Sequence, residues 1–482
     1  MRVEEVFDVV VVGGGGSGLA AAIEARAAGA QVVLLEKNEK LGGSTAWSIG
    51  SITSTGTPHQ LKHGIVDRPE DHFADMPLFA GELAGRDNDE LRRILCDEVP
   101  DAFRWLMSLG VRFYGPMPEP PHKQPRMHNV LPNSLSYIYH LGRHATRVGV
   151  DVRLGVRAAS LTVEGGRVTG VACSDGRGFR ARRAVILAAG DFTNDPELKA
   201  RYMGAQQAKV EGVNATATGD GQKLALALGA QIVNGDLALG PEIRFIAPAR
   251  TTLVRRLPPW RGLARAMEWA MGHVPQALLR PFIMGFLTTA LAPSQSLFEH
   301  GALLVNKDGK RFCDERVSPA LALADQPGKF GYILIDGRLA QQFSAWPHFV
   351  STAPGVAYAY VPDYRRNRAD VYTEASSLTE LAGKLQMPPQ ALHTAVGERK
   401  GEAPFIALGP VKSVFVHNEG GLAVDTRHRV LGARGEPIRG LYAAGSTGQG
   451  GLLLKGHGHH LAWAFVSGRR AGRFAAREEM PA

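Results

Sequence analysis

The stretch FDVVVVGGGGSG at residues 7–18, followed by LAAAIEARAAGAQVVLLEK to residue 37, decides the fold of the first part of the chain. Its apolar run at residues 9–12 predicts a strand buried on both faces, and Gly13, Gly15 and Gly18 have the G-x-G-x-x-G spacing that opens a helix. Glycines in this spacing let the backbone approach a pyrophosphate, whose charge the helix N-terminus favours. Glu36 ends the second strand, where a carboxylate accepts hydrogen bonds from a ribose hydroxyl. This order of elements favours a dinucleotide site over a glycine-rich turn without a ligand.

The composition is that of a globular protein, with 482 residues of which 44% are hydrophobic and 21% charged. This length predicts roughly two to four domains. The three cysteines, Cys96, Cys173 and Cys313, are widely spaced and form no C-x-x-C pair. That pattern favours a reducing compartment and argues against structural zinc, attached haem or an iron–sulfur cluster. We therefore expect no metal site.

The charge and the first residues indicate where the protein works. Arg2 and two glutamates precede the first strand, without the apolar stretch of a signal peptide, so we expect a cytoplasmic protein. The net charge of +9 is spread along the chain, which suits an anionic cofactor or a membrane surface. No basic run with interleaved aromatics is present, which argues against nucleic acid as a partner.

The alternation of strands and helices predicts an interrupted domain. It runs through residues 1–233, is lost between 234 and 411 and returns in residues 412–482. The middle block contains arginines, Trp260, Trp269 and an apolar run at 281–292, which is too short to span a bilayer. Residues 250–292 are thus expected to form a lid, a peripheral membrane contact or part of a buried core.

Eight segments together resemble the flavoprotein family of fumarate reductases, succinate dehydrogenases and 3-ketosteroid dehydrogenases. They are VVVVGGGGSGLAAA, LEKNEKLGGSTAWSIG, EVPDAFRWLMSLGV, RRAVILAAGDF, ATGDGQKLALALGA, GALLVNKDGKRFCDE, HNEGGLAVD and GLYAAGSTGQGG. The resemblance implies an α/β fold, with a discontinuous Rossmann-like FAD-binding domain and an inserted α+β capping domain. It also implies FAD contacts at Gly13, Gly15, Gly16, Gly18, Glu36, Lys37, Gly43, Ser44, Gly50, Ala158, Gly190, Asp220, Gly445, Ser446, His460 and Leu461.

Ser44 bears on how the flavin is held. Some members of that family attach FAD through a histidine at this position of the loop. Because a serine stands here, the resemblance implies a non-covalent flavin.

The positions that bind substrate differ from those of the dicarboxylate reductases. Four positions have lost the expected side chains: residues 244–248 contain no histidine, Ser294 and Gln295 replace a Thr-Glu pair, Pro319 replaces the proton-donating arginine, and Lys455 lies near the place of the carboxylate-binding arginine. Only His417 keeps its place. Two tyrosines expected of ketosteroid dehydrogenases are missing as well. A dianion needs paired cationic donors, so fumarate or succinate is a poor fit.

The chemistry implied is the addition or removal of hydrogen across a carbon–carbon bond next to a carbonyl. We expect His417 and Lys455 to donate to the carbonyl oxygen, and Arg316 or Tyr139 to transfer the proton. The main hypothesis is a hydrophobic, cyclic, ketosteroid-like carbonyl substrate with an external electron acceptor or donor. The alternatives are a reductase of a small unsaturated carboxylate and a non-catalytic FAD-binding or membrane-docked electron-transfer subunit.

Overall fold

The computed structural model describes residues 4–248, 253–275, 278–280, 284–285, 288, 291–353, 357–397 and 401–480. Within these ranges, no helix has the length and apolar character needed to cross a membrane. The cytoplasmic location expected from the sequence stays a prediction. The predicted α/β class is confirmed, because a largely parallel sheet with flanking helices forms the first region and a mixed sheet forms the second.

A largely parallel sheet organises the FAD-binding region. Its strands lie in the spatial order Arg429–Leu431, Pro437–Ala443, Gly178–Leu187, Glu4–Val12, Val32–Glu36 and Asp151–Leu154. All neighbours on this path are parallel except the first pair. Residues 9–12 are almost completely buried, as their unbroken run of valines predicts. An antiparallel pair, Ala158–Glu164 and Arg167–Cys173, extends the sheet from its longest strand.

Two helices cover this sheet and pack closely on each other. The first helix, Gly16–Ala27, follows the first strand, and the C-terminal helix, His459–Ala475, lies against it. A Cβ atom added at Gly468 or Gly472 would lie under 3.0 Å from backbone atoms of the first helix. The two backbones can therefore approach only because these positions lack a side chain.

A smaller unit of strands and helices stands beside the sheet. Its strands are Ser51–Thr53, Arg112–Met117 and Met127–Leu131, and its helices are Pro69–Ala80, Asp89–Leu109 and Leu135–Arg147. The sequence predicts surface helices at 87–111 and a loop leading into a helix at 115–139. One helix, Asp89–Leu109, forms with Leu95 and Phe103 on its buried side, and two strands occupy part of the expected loop. The prolines and histidines of this segment indicate turns, but residues 127–129 pair with the strand Ser51–Thr53 and therefore form a strand.

The capping region is built on its own sheet and hydrophobic cores. Its long strand Phe405–Phe415 pairs with four other strands, and a fifth strand extends the sheet; these five are Glu211–Gly212, Glu242–Phe245, Phe330–Ile335, Tyr372–Ala375 and Leu303–Asn306. A three-stranded sheet of Ala292–Pro293, Ser351–Ala353 and Ala357–Ala359 stands beside it. The predicted boundary at residue 411 falls inside the long strand, and the division into 1–233, 234–411 and 412–482 stays a prediction.

Short elements complete the described chain. The helices are Gly43–Trp47, Pro58–Lys62, Pro196–Tyr202, Asp220–Leu226, Leu253–Arg256, Arg261–His273, Gln295–Glu299, Pro319–Ala324, Gly337–Gln342, Val361–Asn367, Leu378–Leu385 and Pro389–Val396. Three 3₁₀ turns are Gly81–Arg86, Gln207–Lys209 and Pro327–Lys329. Four short strands are Ile232–Val233, Ala238–Leu239, His417–Asn418 and Gly421–Leu422.

The structure describes part of the arginine and tryptophan segment at 250–292. Trp260, just before the helix Arg261–His273, and Trp269, within it, are exposed to solvent. Much of the apolar run at 281–292 lies outside the described residues. The expected lid or membrane contact therefore stays a prediction.

Candidate active site

An elongated cavity opens where the parallel strands end. Many of the residues expected to contact FAD line it: Gly13, Gly15, Gly16, Glu36, Lys37, Gly43, Ser44, Ala158, Gly190, Asp220, Ser446, His460 and Leu461. The carboxyl edge of a parallel sheet, next to a helix N-terminus, is the usual place for a dinucleotide.

The glycines of this cavity leave room for a close ligand. A Cβ atom at Gly15 would meet its nearest protein atom at 3.7 Å, one at Gly43 at 3.5 Å, and one at Gly190 none within 4 Å. Side chains at these positions would thus occupy the cavity itself. The cradle therefore fits a cofactor whose phosphates approach the backbone.

Glu36 is held in place at the end of the second strand. Its Oε2 accepts a hydrogen bond of 2.7 Å from the backbone N–H of Gly14. Its Oε1 accepts two from Asn38, from the backbone nitrogen at 2.9 Å and from Nδ2 at 2.6 Å. The carboxylate is buried but lines the cavity, as a ribose ligand must.

A charged group stands at the same end of the cavity. Lys37 Nζ lies 3.1 Å from Asp220 Oδ2, and Arg157 Nη2 lies 3.0 Å from Asp220 Oδ1. Burial raises the pKa of Asp220, but the hydrogen bond from Arg157 and the charge of Lys37 outweigh it, so the pKa falls below its usual value. Asp220 is thus ionised and orients two cations that face the cavity.

Three expected FAD contacts do not line this cavity. A Cβ atom at Gly18 would collide with the carbonyl oxygen of Gly13, and one at Gly445 with Ser17. Gly50 packs against Val130. These glycines allow neighbouring backbones to approach, so the structure gives them a packing role at the cavity wall.

His417 is the one candidate catalytic residue among those that line this cavity in the described chain, and His460 lines it as well; Lys455 does not. His417 comes from the short strand that follows the long strand of the cap, and His460 comes from the first turn of the C-terminal helix. Their ring centres are 3.7 Å apart. The apolar residues Val416, Leu461 and Ala464 line the cavity beside them.

A buried carboxylate, Glu419, lies at the centre of this group. Its Oε1 lies 3.6 Å from His417 Nε2, 3.6 Å from His460 Nε2 and 3.9 Å from Lys455 Nζ. Its Oε2 accepts hydrogen bonds from Gln449 Nε2 at 3.2 Å and from the backbone nitrogen of Leu454 at 2.9 Å. We call His417, Glu419, Lys455 and His460 the Glu419 cluster.

The cluster combines one anion, one cation and neutral imidazole. Burial raises the pKa of Glu419, but the two neighbouring histidines outweigh this effect, and the pKa lies well below its usual value. Burial and the adjacent His460 lower the pKa of His417, against the opposing pull of Glu419. Glu419 is therefore ionised beside the Lys455 ammonium, while His417 stays neutral near pH 7.

Arg316 and Tyr139 lie elsewhere. Arg316 is exposed on the cap, where its guanidinium pairs with Asp314 at 2.8 Å and lines a separate surface cavity. The Tyr139 hydroxyl accepts a hydrogen bond of 2.6 Å from Arg143 and lines another surface cavity, next to Trp260. Neither residue lines the cavity that contains His417, so the structure does not bring these expected proton donors to the cluster.

Sequence reasoning missed several residues of the site. Glu419 is the most important, and a signal for it existed: alternate residues of an extended chain point to the same side, so position 419 follows 417. Glu419 does not itself line the cavity, whereas Asn38, Thr45, Arg157, Asp191 and Asn214 line it without having been expected.

Comparison with known proteins gives the family. Residues 8–256 and 261–453 match the family described as FAD binding domain. The chain is 26% identical over 505 residues to the probable fumarate reductase Ifc3 of Shewanella frigidimarina, covering 99% of this chain and 76% of that protein. It is 26% identical to the vinyl phenol reductase of Lactiplantibacillus plantarum, covering 98% of this chain and 96% of that protein.

Solved structures show the same fold. The open conformation of a flavocytochrome c3 fumarate reductase has a TM-score of 0.71 at 25% identity, covering 98% of this chain and 78% of that one. The 3-ketosteroid delta1-dehydrogenase from Sterolibacterium denitrificans has a TM-score of 0.65 at 18% identity, covering 98% of this chain and 100% of that one. The second likeness concerns the fold alone.

These matches confirm the family resemblance and the cofactor expected from the sequence. The chain belongs to the FAD binding domain family and is an FAD-dependent oxidoreductase.

Proposed function

We propose that this enzyme adds or removes hydrogen across a carbon–carbon bond next to the carbonyl of an uncharged, largely apolar substrate. FAD, when bound, supplies the hydride chemistry. Relatives named as reductases of unsaturated compounds support the reaction class. The electrons are expected to come from, or go to, an external partner.

The observation that carries the proposal is the position of Glu419. Its ionised carboxylate lies 3.9 Å from the Lys455 ammonium, so the charge of that cation is already balanced. A dicarboxylate in this place would meet the buried negative charge of Glu419 beside the Lys455 ammonium. At such distances two like charges repel by a few kcal/mol at the effective dielectric of a protein, about 4 kcal/mol at 4 Å. An uncharged carbonyl group avoids this cost.

The residues of the Glu419 cluster then have separate roles. Neutral His417 and the Lys455 ammonium donate hydrogen bonds to the carbonyl oxygen and stabilise the charge that develops there. His460, whose Nε2 is buried without a hydrogen-bond partner among the described residues, replaces Arg316 and Tyr139 as our candidate for proton transfer. Glu419 orients these three groups. Val416 and Leu461 exclude water from the reacting bond.

A small unsaturated monocarboxylate is the second candidate. Lys455 supports it, because one ammonium group suits one carboxylate if the substrate displaces it from Glu419. Relatives named as an acrylate oxidoreductase and as a fumarate reductase support this wider class of small unsaturated acids equally well.

The test is anaerobic reaction of the purified, flavin-loaded enzyme with two panels. One panel contains cyclic enones and ketosteroids with their saturated counterparts, and the other contains acrylate, fumarate and their saturated counterparts. We expect enones to reoxidise the reduced flavin, or saturated ketones to bleach the oxidised flavin, while fumarate and succinate do neither. Activity confined to the acids would overturn the proposal.

A further inference from the structure

Three histidines from distant parts of the chain meet in the interior, outside the Glu419 cluster. His72 lies on the helix Pro69–Ala80, His122 lies between two strands of the small sheet, and His459 opens the C-terminal helix. His72 and His459 are 0% exposed and His122 is 8% exposed. Histidine is seldom buried in threes, so this arrangement needs an explanation.

The centres of the three imidazole rings are nearly equally far apart. Their centres are 5.2 Å apart for His72 and His459, 5.3 Å for His122 and His459, and 5.4 Å for His72 and His122. One ring nitrogen from each histidine lies within 4.8 Å of the other two. With metal–nitrogen bonds of about 2.1 Å and tetrahedral angles, the centres of ligating imidazoles stand about 5.3 Å apart. The observed spacing is therefore that of three ligands around one ion.

Two nitrogens of this group lack hydrogen-bond partners within the described part of the chain, and two others form one hydrogen bond between rings. His72 Nδ1 and His122 Nε2 are buried and make no hydrogen bond within the described part of the chain. The His72 and His459 Nε2 atoms face each other at 3.0 Å. A buried polar atom without a partner costs about 1–3 kcal/mol, and an ion bound to His122 Nε2 would remove that cost at this atom.

Hydrogen bonds to neighbouring groups fix the ring of His459 and occupy one ring nitrogen of His122. His459 Nδ1 donates a hydrogen bond of 2.6 Å to the carbonyl oxygen of Lys455, so its Nε2 carries no proton and can bind an ion in place of its hydrogen bond with His72. His122 Nδ1 instead accepts one of 2.9 Å from Arg126 Nη1. Metal binding at His122 Nε2 places the ring proton on Nδ1, so this bond must open. Arg126 keeps its ion pairs with Asp67 and Asp75 when it does.

Burial favours the uncharged rings that metal binding requires. Burial lowers the pKa of all three histidines, for His122 to about 2, with neighbouring charges adding to the effect for His72 and His122. Phe79 packs edge-on against His122 and His459, with ring centres 4.6 Å and 5.7 Å away. Phe79 thus covers part of the group with an apolar ring.

We propose that His72, His122 and His459 bind one divalent transition-metal ion of the zinc type. Imidazole nitrogens suit zinc, cobalt, nickel or copper, whereas magnesium and calcium require oxygen ligands. The ion joins the helix Pro69–Ala80, the small sheet and the first turn of the C-terminal helix. Because His460 follows His459 directly, the ion also fixes the backbone that presents His460 to the FAD cavity. The cysteine pattern, which led us to expect no metal, carries no information on such a site.

The first experiment needs no variant. Flavin-loaded protein with a tag free of histidine is dialysed against micromolar zinc or cobalt, and its metal content is measured. We expect one tightly bound ion per chain, with X-ray absorption showing three imidazole nitrogens at about 2.0–2.1 Å. A chain that binds no tight ion, or an ion with fewer than three imidazoles, would overturn the proposal.

The second experiment assigns the ligands. His72→Gln and His122→Gln should each weaken zinc binding at least about tenfold and abolish the zinc-induced rise in melting temperature. His428→Gln is the matched control, because His428 is also fully buried but lies outside the group. Wild-type zinc affinity in a folded His72→Gln protein would refute the assignment. If neither ligand variant folds, the absorption spectrum of the wild-type protein decides the question.

Discussion

Glu419 sets the charge of the candidate active site, and its removal gives a specific prediction. Glu419→Gln keeps the size of the side chain but leaves the Lys455 ammonium without its anion 3.9 Å away. We expect this variant to bind a monocarboxylate such as acrylate at least about tenfold more tightly, since the loss of like-charge repulsion is worth 1.4 kcal/mol or more. The measurement is a titration followed by the flavin absorption spectrum.

The control for this variant is Glu24→Gln. Glu24 of the first helix pairs with Arg469 of the C-terminal helix and does not line the FAD cavity. Its replacement should leave carboxylate binding unchanged. Equal carboxylate affinity in wild type and Glu419→Gln, with the flavin spectrum intact, would contradict the role given to Glu419.

His428 makes the stability of the protein sensitive to acid. Burial, and then the charges of Arg470 and Arg473, lower its pKa to about 3. The unfolded chain takes up this proton near its ordinary pKa of about 6.5, so the free energy of unfolding falls as the pH drops from there towards 3. Neither ring nitrogen has a hydrogen-bond partner among the described residues, so His428→Phe leaves no polar group stranded.

We expect His428→Phe to reduce the slope of unfolding free energy against pH by up to about 1.4 kcal/mol per pH unit between pH 6 and 4. Urea unfolding at a series of pH values measures it. At pH 7.5 the variant and the wild type should have similar free energies of unfolding. An unaltered slope would show that the folded protein protonates His428 readily.

At the scale of elements, the contact between the first and the C-terminal helix supports the FAD cavity. Each helix contributes one of its ends to that cavity, Gly16 from the first and His460 from the second. Gly468 and Gly472 of the C-terminal helix set the separation of the two helices, because they have no side chains and contact the backbone of the first helix. A change in this spacing therefore moves both walls of the site.

Gly472→Ala tests this contact. The new methyl group would collide with the backbone of Ala21. The two helices must then move apart, which should lower the free energy of unfolding by about 1–3 kcal/mol and weaken FAD binding. Urea unfolding and flavin titration of the apoprotein measure the two effects. Gly383→Ala, in the helix Leu378–Leu385 where a Cβ atom meets nothing within 4 Å, should leave FAD binding unchanged and stabilise the protein slightly.

Local sequence predicts the elements that short-range patterns govern. The valines before Gly13 and the acid at Glu36 predict a strand, a turn and a ribose ligand, because each lies in one continuous segment. Glu419 could have been inferred from its alternation with His417. The grouping of His72, His122 and His459 could not, since His459 is 387 positions from His72 and only tertiary packing brings the three together. For the same reason, the sequence alone does not show that Arg316 and Tyr139 lie away from the cavity that contains His417.

At the scale of the whole molecule, the cofactor connects all parts of the FAD-binding region, and we predict that no covalent bond holds it. Ser44 lines the cavity, and its Oγ accepts a hydrogen bond of 2.9 Å from Asn214, but serine offers no ring nitrogen to attach the flavin. Acid precipitation should release all flavin into the supernatant. Fluorescence that migrates with the chain on a denaturing gel would contradict this.

The same non-covalent binding should make the melting temperature depend on FAD. A ligand at a hundred times its Kd stabilises the folded state by about 2.7 kcal/mol. We expect the apoprotein to melt lower than the holoprotein and to recover as FAD is added. An apoprotein with an unchanged melting temperature would mean that the cavity is not shaped around the cofactor.

The central sheet pairs strands that are synthesised early in translation with a strand that is synthesised late. The strand Pro437–Ala443 pairs directly with Gly178–Leu187, and the C-terminal helix packs on the first helix. The nascent chain therefore exposes the apolar flank of its early strands through most of translation, in a state that invites chaperone binding. Cofactor loading must wait until residues 459–475 have left the exit tunnel. Fusions that delay or obstruct this late docking should reduce the yield of yellow protein more than the yield of total protein.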